Sequence, residues 1–154
     1  IGLDLHAETF GTDTDVYGLV HKAHEDKKVD AVLIDEAQFL TPEQVMQCAR
    51  IVDDLGIPVM CYGLKTDFMG KLFPGSEALL RFADNLEEIK TICWCGRKAT
   101  HTARVTSKGD VVREGAQIAI GGNDMYVSLC RKHFIRGEPA AQKSAENTKD
   151  KAAA

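Results

Sequence analysis

The sequence predicts an α/β fold, a parallel sheet flanked by helices, followed by a small β lobe. Three observations predict it. Two short apolar runs, 29–34 and 59–62, read as strands buried in a parallel sheet. A helix-period segment precedes each of them, and the order helix, strand, helix, strand is the mark of parallel α/β architecture. Beyond Lys90 the texture changes to short β-like runs separated by turns.

The elements follow in order. Residues 1–12 mix Gly, Asp, His and Thr without periodicity and read as loop. From Asp15, the apolar residues Val16, Leu19, Val20 and Ala23 fall at i, i+3, i+4 and i+7, one face of a helix that the charges of 24–28 close. The run 29–34, broken only by Asp30, is a strand expected to be covered on both faces, and it stops at Asp35-Glu36. Thr41-Pro42-Glu43-Gln44 starts the next helix: Thr caps, Pro suits the first turn, and Gln three residues on completes a capping box. Val45, Met46, Ala49, Val52 and Leu55 supply its apolar face, Gly56 ends it, Pro58 prevents its resumption, and 59–62 is the second strand.

Residues 66–75 set large apolar side chains among Gly, Lys and Pro with no period, a pattern that suits a binding loop. Ser76 can cap a further helix with Leu79, Leu80, Phe82, Ala83 and Leu86 at helical spacing, ending near Lys90. The β lobe then offers runs at 91–94, 100–106 and 117–120, with turns at Ser107-Lys108-Gly109-Asp110 and Gly121-Gly122. Three segments result: an α/β core over 1–90, a lobe over 91–136, and a tail over 137–154 whose Ala, Lys, Glu, Gln and Asn predict disorder.

Composition narrows the function. A chain of 154 residues with 44% hydrophobic and 27% charged residues suits one globular domain with an appendage. No apolar run approaches the roughly 20 residues that span a bilayer, so no membrane partner is expected. Net charge −4 argues against a nucleic-acid partner, because such binding rests on clustered Lys and Arg. Five cysteines are an odd number for a disulfide framework, and Cys48 and Cys61 lie in apolar stretches, which together predict a reducing, cytoplasmic setting. No basic n-region precedes an apolar h-region, so no signal peptide is expected, and the sequence begins at Ile1 without an initiator Met.

Two constellations carry chemistry. An apolar strand ending in Asp35-Glu36 has the form of a Walker B segment, with carboxylates at the crevice where nucleotide phosphates sit and Mg²⁺ is held. The same acids also suit a plain solvated strand end. Cys93-x-Cys95 and Cys130-x-x-His133 supply four soft donors in two knuckles, the set for closed, structural, tetrahedral zinc. A lobe with few apolar residues would draw much of its folding free energy from that metal. The first knuckle has one intervening residue where two to four are usual, which makes Cys93 the least secure ligand. With three ligands only, water or His101 can complete the shell.

Read together in order, Asp35-Glu36-Ala37-Gln38-Phe39, the loop 64–73, Ile120-Gly121-Gly122-Asn123-Asp124-Met125-Tyr126 and the Cys and His knuckles resemble the zinc-containing type of thymidine kinase. The resemblance runs from about Ile1 to Phe134. It implies a P-loop-kinase-like sheet with a zinc-ribbon lobe, and an enzyme that moves the γ-phosphate of ATP to the 5′-hydroxyl of deoxythymidine. By that resemblance Glu36 is the general base, Asp35 holds Mg²⁺ with ATP, and Gln38 lies beside them at the nucleotide. Phe39, Leu64, Phe68 and Phe73 surround the nucleoside. Within a lasso over 102–126 that closes on the base, Thr102, Gly121 and Tyr126 fall at contact positions. It also implies a homotetramer and feedback inhibition by dTTP.

One departure stands out. No G-x-x-x-x-G-K-[ST] occurs in the chain, although a P-loop cradles the phosphates in this class. The resemblance therefore implies that a strand, P-loop and helix precede Ile1, or else that the chain is a P-loop-less fragment; these 154 residues alone are expected not to bind ATP productively. The rival reading is a non-enzymatic zinc-ribbon binding module, favoured by the local positive bias of Arg97, Lys98, Arg104, Arg131 and Lys132 and opposed by the lack of a basic-aromatic stacking platform.

Overall fold

The computed structural model describes residues 7–117 and 125–140. The described residues up to Thr66, together with Lys71–Glu88, pack as one compact unit. Asp67–Gly70 and the described residues from Ile89 onward pack as a second.

The first unit begins with helix α1, Val16–Asp26, capped by Asp15, whose carboxylate accepts the Gly18 N–H at 3.1 Å. Its inward face differs from the expected one. Val16 and Val20 are buried with Tyr17 packed beside them, whereas Leu19 is 44% exposed and Ala23 faces solvent. Val16 and Val20 lie one turn apart in either reading, so the pattern could not say to which side the stripe widens; Tyr17 took the place of Leu19. Strand β1, Val32–Ile34, starts later than the apolar run because 27–31 is a connection, held by the Val29 N–H to His24 Nδ1 at 3.1 Å.

Helix α2, Pro42–Leu55, has the expected start and stop. Thr41 Oγ1 accepts from the Gln44 N–H, Gln44 Oε1 accepts from the Thr41 N–H, each at 3.1 Å, and Gly56 closes the helix at φ 67°. Its core stripe is Gln44, Val45, Cys48 and Ile51, while Met46 turns outward. The buried Gln44 amide donates to Gly11 O and Thr14 O at 2.8 and 3.1 Å, which ties the preceding loop down. A residue counted as polar therefore occupies the core face, and the Met beside it is displaced.

Strand β2, Val59–Cys61, pairs with β1 in parallel, Val32 opposite Val59 and Ile34 opposite Cys61. This confirms parallel α/β pairing. Val32, Ile34, Val59 and Cys61 pack into the helical core, but Leu33 is 63% and Met60 42% exposed. The expectation of cover on both faces is not met among the described residues, since their core lies on one side of this strand pair. Within the core the interaction with Cys61, together with burial, holds the Cys48 thiol above the ordinary range, and the interaction with Cys48 holds Cys61 below it. All five cysteines are free.

Helix α3, Pro74–Phe82, starts two residues before Ser76 and ends well short of Lys90. Ser76 is not its cap: Phe73 holds that position, Pro74 opens the first turn, and the Ser76 hydroxyl donates to Leu64 O at 2.7 Å. Leu86, 62% exposed, lies beyond the helix.

The second unit is built from hairpins. β3, Thr91–Ile92, pairs with β4, Lys98–Ala99, and β5, His101–Val105, with β6, Met125–Leu129; both pairs are antiparallel. Helix α4, Arg131–Arg136, follows at once and ends at Gly137 with φ 70°. β4, β6 and α4 lie outside the runs expected from the sequence. The expected run at 117–120 beyond Gln117, the Gly121-Gly122 turn, most of the tail and residues 1–6 lie outside the described residues. Among the described residues no helix is long and apolar enough to cross a membrane.

The capping box and the core stripe of α2 make a stability prediction. Thr41→Ala should cost about 1 kcal/mol and Ile51→Ala, at a position with no exposure, about 2–5 kcal/mol, read from urea unfolding followed by far-UV circular dichroism.

Candidate active site and metal centre

β1 ends in Asp35 and Glu36, both exposed. The chain turns there. Glu36 has φ 51° and ψ 35°, the only non-Gly residue with positive φ among those described. A left-handed Glu is strained by roughly 1–2 kcal/mol and persists only where its surroundings over-determine it. Those surroundings are visible. The Glu36 N–H donates to Asp35 Oδ1 at 2.8 Å, and the next three residues, Ala37–Phe39, form a 3₁₀ turn.

Gln38, 2% exposed, secures the carboxylate. Its Nε2 donates to Glu36 Oε2, and its Oε1 accepts the Leu64 N–H at 3.0 Å. Burial of an amide is tolerable only when its polar atoms are paired, and here both the nitrogen and the oxygen are. Gln38 therefore links the strand end that carries the acids to the loop after β2.

Two glycines make room for this link. A Cβ on Gly63 would stand 2.5 Å from Gln38 Oε1 and 2.9 Å from the Gln38 backbone N. One on Gly75, in the first turn of α3, would stand 2.6–2.8 Å from the carbonyl oxygens of Leu40, Ala37 and Gln38. Sequence reasoning missed Gly63, Gly75 and Ser76. The available signal was the placement of both glycines beside candidate pocket residues, Gly63 before Leu64 and Gly75 after Phe73-Pro74.

Of the apolar candidates, Phe39, Leu64 and Phe73 belong with the acids in this unit. Phe39 stands edge-on to Phe73, ring centroids 5.7 Å apart; Phe39 and Leu64 are exposed and Phe73 is buried. Phe68 belongs to the other unit. It is buried there with the Arg104 guanidinium 5.2 Å over its ring. Thr102 and Tyr126 lie on β5 and β6, half-buried and exposed, opposite Ser128 and Arg104 respectively. Gly121 lies outside the described residues.

The metal-ligating group is compact. Cys93 closes the β3–β4 hairpin with its N–H to Arg97 O and its C=O to the Gly96 N–H, both at 2.8 Å, and Gly96 takes φ 81°. Cys130 sits at the start of α4, one turn before His133. The donor atoms of Cys93, Cys95, Cys130 and His133 all lie within 4.8 Å of one another. His133 Nδ1 is 3.4 Å from Cys93 Sγ and 3.6 Å from Cys130 Sγ, and Cys95 Sγ is 3.9 Å from Cys130 Sγ.

A tetrahedral ion with Zn–S near 2.3 Å and Zn–N near 2.0–2.1 Å requires S···N of about 3.6 Å and S···S of about 3.8 Å. The donors fit. Cys93 takes its place in spite of the short knuckle, and His101 does not join the group: its Nδ1 lies 2.9 Å from Thr100 Oγ1 and its ring stacks on Phe134. Burial raises the Cys93 thiol, but the backbone N–H groups of Cys95 and Cys130 and the contact with His133 outweigh it and bring the thiol down to about 6. The Arg97 backbone lowers Cys95, but desolvation and the neighbouring sulfurs outweigh it and hold that thiol above its ordinary value. The Cys93 thiolate forms readily, whereas Cys95 needs the ion to ionise.

Residues 2–134 match the family model described as thymidine kinase. Curated relatives named thymidine kinase include one from Jannaschia sp. (strain CCS1), 54% identical over 87% of this chain and 69% of its own length. Another, from Rhizobium meliloti (strain 1021), is 54% identical over 87% of this chain and 70% of its own. A third, from Mesorhizobium japonicum, is 57% identical over 87% of this chain and 66% of its own. The chain thus spans about two thirds of the length of these relatives.

Two outcomes check the geometry. Gly63→Ala should dislodge Gln38 and lower stability by about 1–3 kcal/mol, the penalty of unpairing buried polar groups, measured by chemical denaturation. Titration with Co²⁺ should develop sulfur-to-metal charge-transfer bands that saturate at one equivalent per chain.

Proposed function

The chain belongs to the thymidine kinase family, and on that premise we propose that it transfers the γ-phosphate of ATP to the 5′-hydroxyl of deoxythymidine, with Glu36 as the general base. The match spans both compact units, which leaves the separate zinc-ribbon module without support.

The observation that carries the assignment of Glu36 is its restraint. The side chain is exposed, its backbone is held in a left-handed turn, and Gln38 Nε2 fixes one carboxylate oxygen. Oε1 is then the oxygen oriented to accept the proton of the substrate hydroxyl. Phosphoryl transfer asks the protein chiefly for positioning and for stabilisation of spreading negative charge. A base held at backbone and side chain meets the first demand, because little ordering remains to be done when substrate arrives.

Asp35 is the residue suited to hold Mg²⁺, since an exposed carboxylate is the hard oxygen donor that ion prefers. Bound with ATP, the ion supplies neutralisation of phosphate charge. Phe39, Leu64 and Phe73 offer an apolar surface beside the acids that suits a nucleoside. Gln38, buried and engaged by Glu36 and Leu64, serves the nucleotide site from behind. Phe68, Thr102, Gly121 and Tyr126 are carried as nucleoside contacts on family likeness alone, as are ATP binding, cytoplasmic location, a homotetramer and inhibition by dTTP. Cys93, Cys95, Cys130 and His133 would hold a structural zinc with no coordination position left for substrate.

Kinetics of the full-length protein test these roles separately. Glu36→Gln should lower thymidine-dependent ADP release by roughly 100-fold or more with little change in KM, whereas Asp35→Asn should recover part of its activity as Mg²⁺ is raised. Wild-type kinetics for Glu36→Gln would remove that residue from the mechanism.

A further inference from the structure

One acidic residue outside the four donors reaches back to the metal-ligating group. Glu138 follows α4. Its N–H donates to His133 O at 3.0 Å, its own carbonyl accepts the Trp94 Nε1–H at 3.0 Å, and its Oε2 lies 3.6 Å from His133 Nε2. The Trp94 indole lies flat on the His133 imidazole, centroids 4.2 Å apart and planes 10° from parallel.

We propose that Glu138 and Trp94 form an outer shell that fixes the tautomer and plane of His133, making Glu138 a positioning residue for the metal. The inference rests on the zinc reading above. His133 turns Nδ1 toward the sulfurs, so Nδ1 is the ligating nitrogen and the ring proton must reside on Nε2. The carboxylate faces that nitrogen. At 3.6 Å the contact is longer than a hydrogen bond and acts through charge; His133 is 8% exposed at its side chain, so screening there is weak.

A carboxylate facing the outer N–H of a ligating imidazole selects the tautomer and raises ligand basicity. Trp94 contributes the second restraint. It is the single residue between Cys93 and Cys95, so the short knuckle itself delivers the indole to the imidazole face. With its Nε1–H bonded to the Glu138 carbonyl, the indole ties the chain just past the Gly137 cap of α4 to the β3–β4 hairpin. The ring is thus held from one face by Trp94 and at its outer edge by Glu138.

Zinc affinity of the full chain, measured by competition with a chromogenic chelator, tests this. Glu138→Ala should bind zinc roughly 10–100-fold more weakly, Glu138→Gln should fall between it and wild type because an acceptor oxygen remains without the charge, and Glu87→Ala should match wild type. In long-range ¹H–¹⁵N spectra of the zinc-loaded protein, the His133 Nε2–H signal should move in Glu138→Ala and move less in Glu138→Gln. A merely structural role would lower melting temperature without displacing that signal. Affinity within twofold of wild type for Glu138→Ala, or an unmoved ring N–H in both variants, overturns the inference while leaving zinc binding in place. Wild-type protein that takes up no zinc would overturn the metal reading and this inference with it.

Discussion

The buried amide of Gln38 is the joint on which the acidic site depends. It holds Glu36 by one oxygen and the Leu64 backbone by the other end of the same group. Without it, a left-handed glutamate at an exposed strand end would have solvent as its main competitor for the carboxylate, and the strain in its backbone would favour relaxation to another turn. The helices serve the same joint. α3 brings Ser76 to the Leu64 carbonyl and Gly75 beneath the 3₁₀ turn, so the loop after β2 is fixed on two sides before any ligand arrives.

The second unit solves a different problem. Its buried cluster is Cys93, Ala99, Ala103, Leu129, Cys130 and Phe134, and with Phe68 and Val105 buried elsewhere in the unit the described residues supply few large hydrocarbons. At about 1.5–3 kcal/mol for each fully buried large side chain, such a core does not offset the ordering of several strands and a helix. Structural zinc in small domains contributes on the order of 10 kcal/mol. The donors that sit in this core therefore serve as its chemistry and as its packing at once, and the hairpins need only bring them within reach.

Much of this architecture was legible in the sequence, and where it was not the reasons are physical. Caps and breakers read well because they act locally: Thr41 with Gln44, and Gly56, did what their residue types dictate. The apolar faces of α1 and α2 read less well. Periodicity locates a stripe but not its edges, and Gln44, whose amide bonds the 11–14 loop, replaced Met46 on the inward side. Ser76 looked like a cap because Ser often is one; its hydroxyl was claimed instead by a carbonyl twelve residues away, which no local rule contains. The acids and the four metal donors were visible as residue types. The supports of Glu36 were not, since a Gln in a motif does not declare that its amide will be buried, nor a Gly that a carbonyl will lie against its Cα.

The chain has a single tryptophan, and it lies against His133. Long-wavelength ultraviolet excitation of these 154 residues therefore reports on the cysteine-rich unit, since their α/β unit carries no tryptophan. Since the two units have separate cores, emission and far-ultraviolet ellipticity observe different parts of the molecule. Divergence between the two signals during denaturation would mean sequential melting of the halves, visible without any added label.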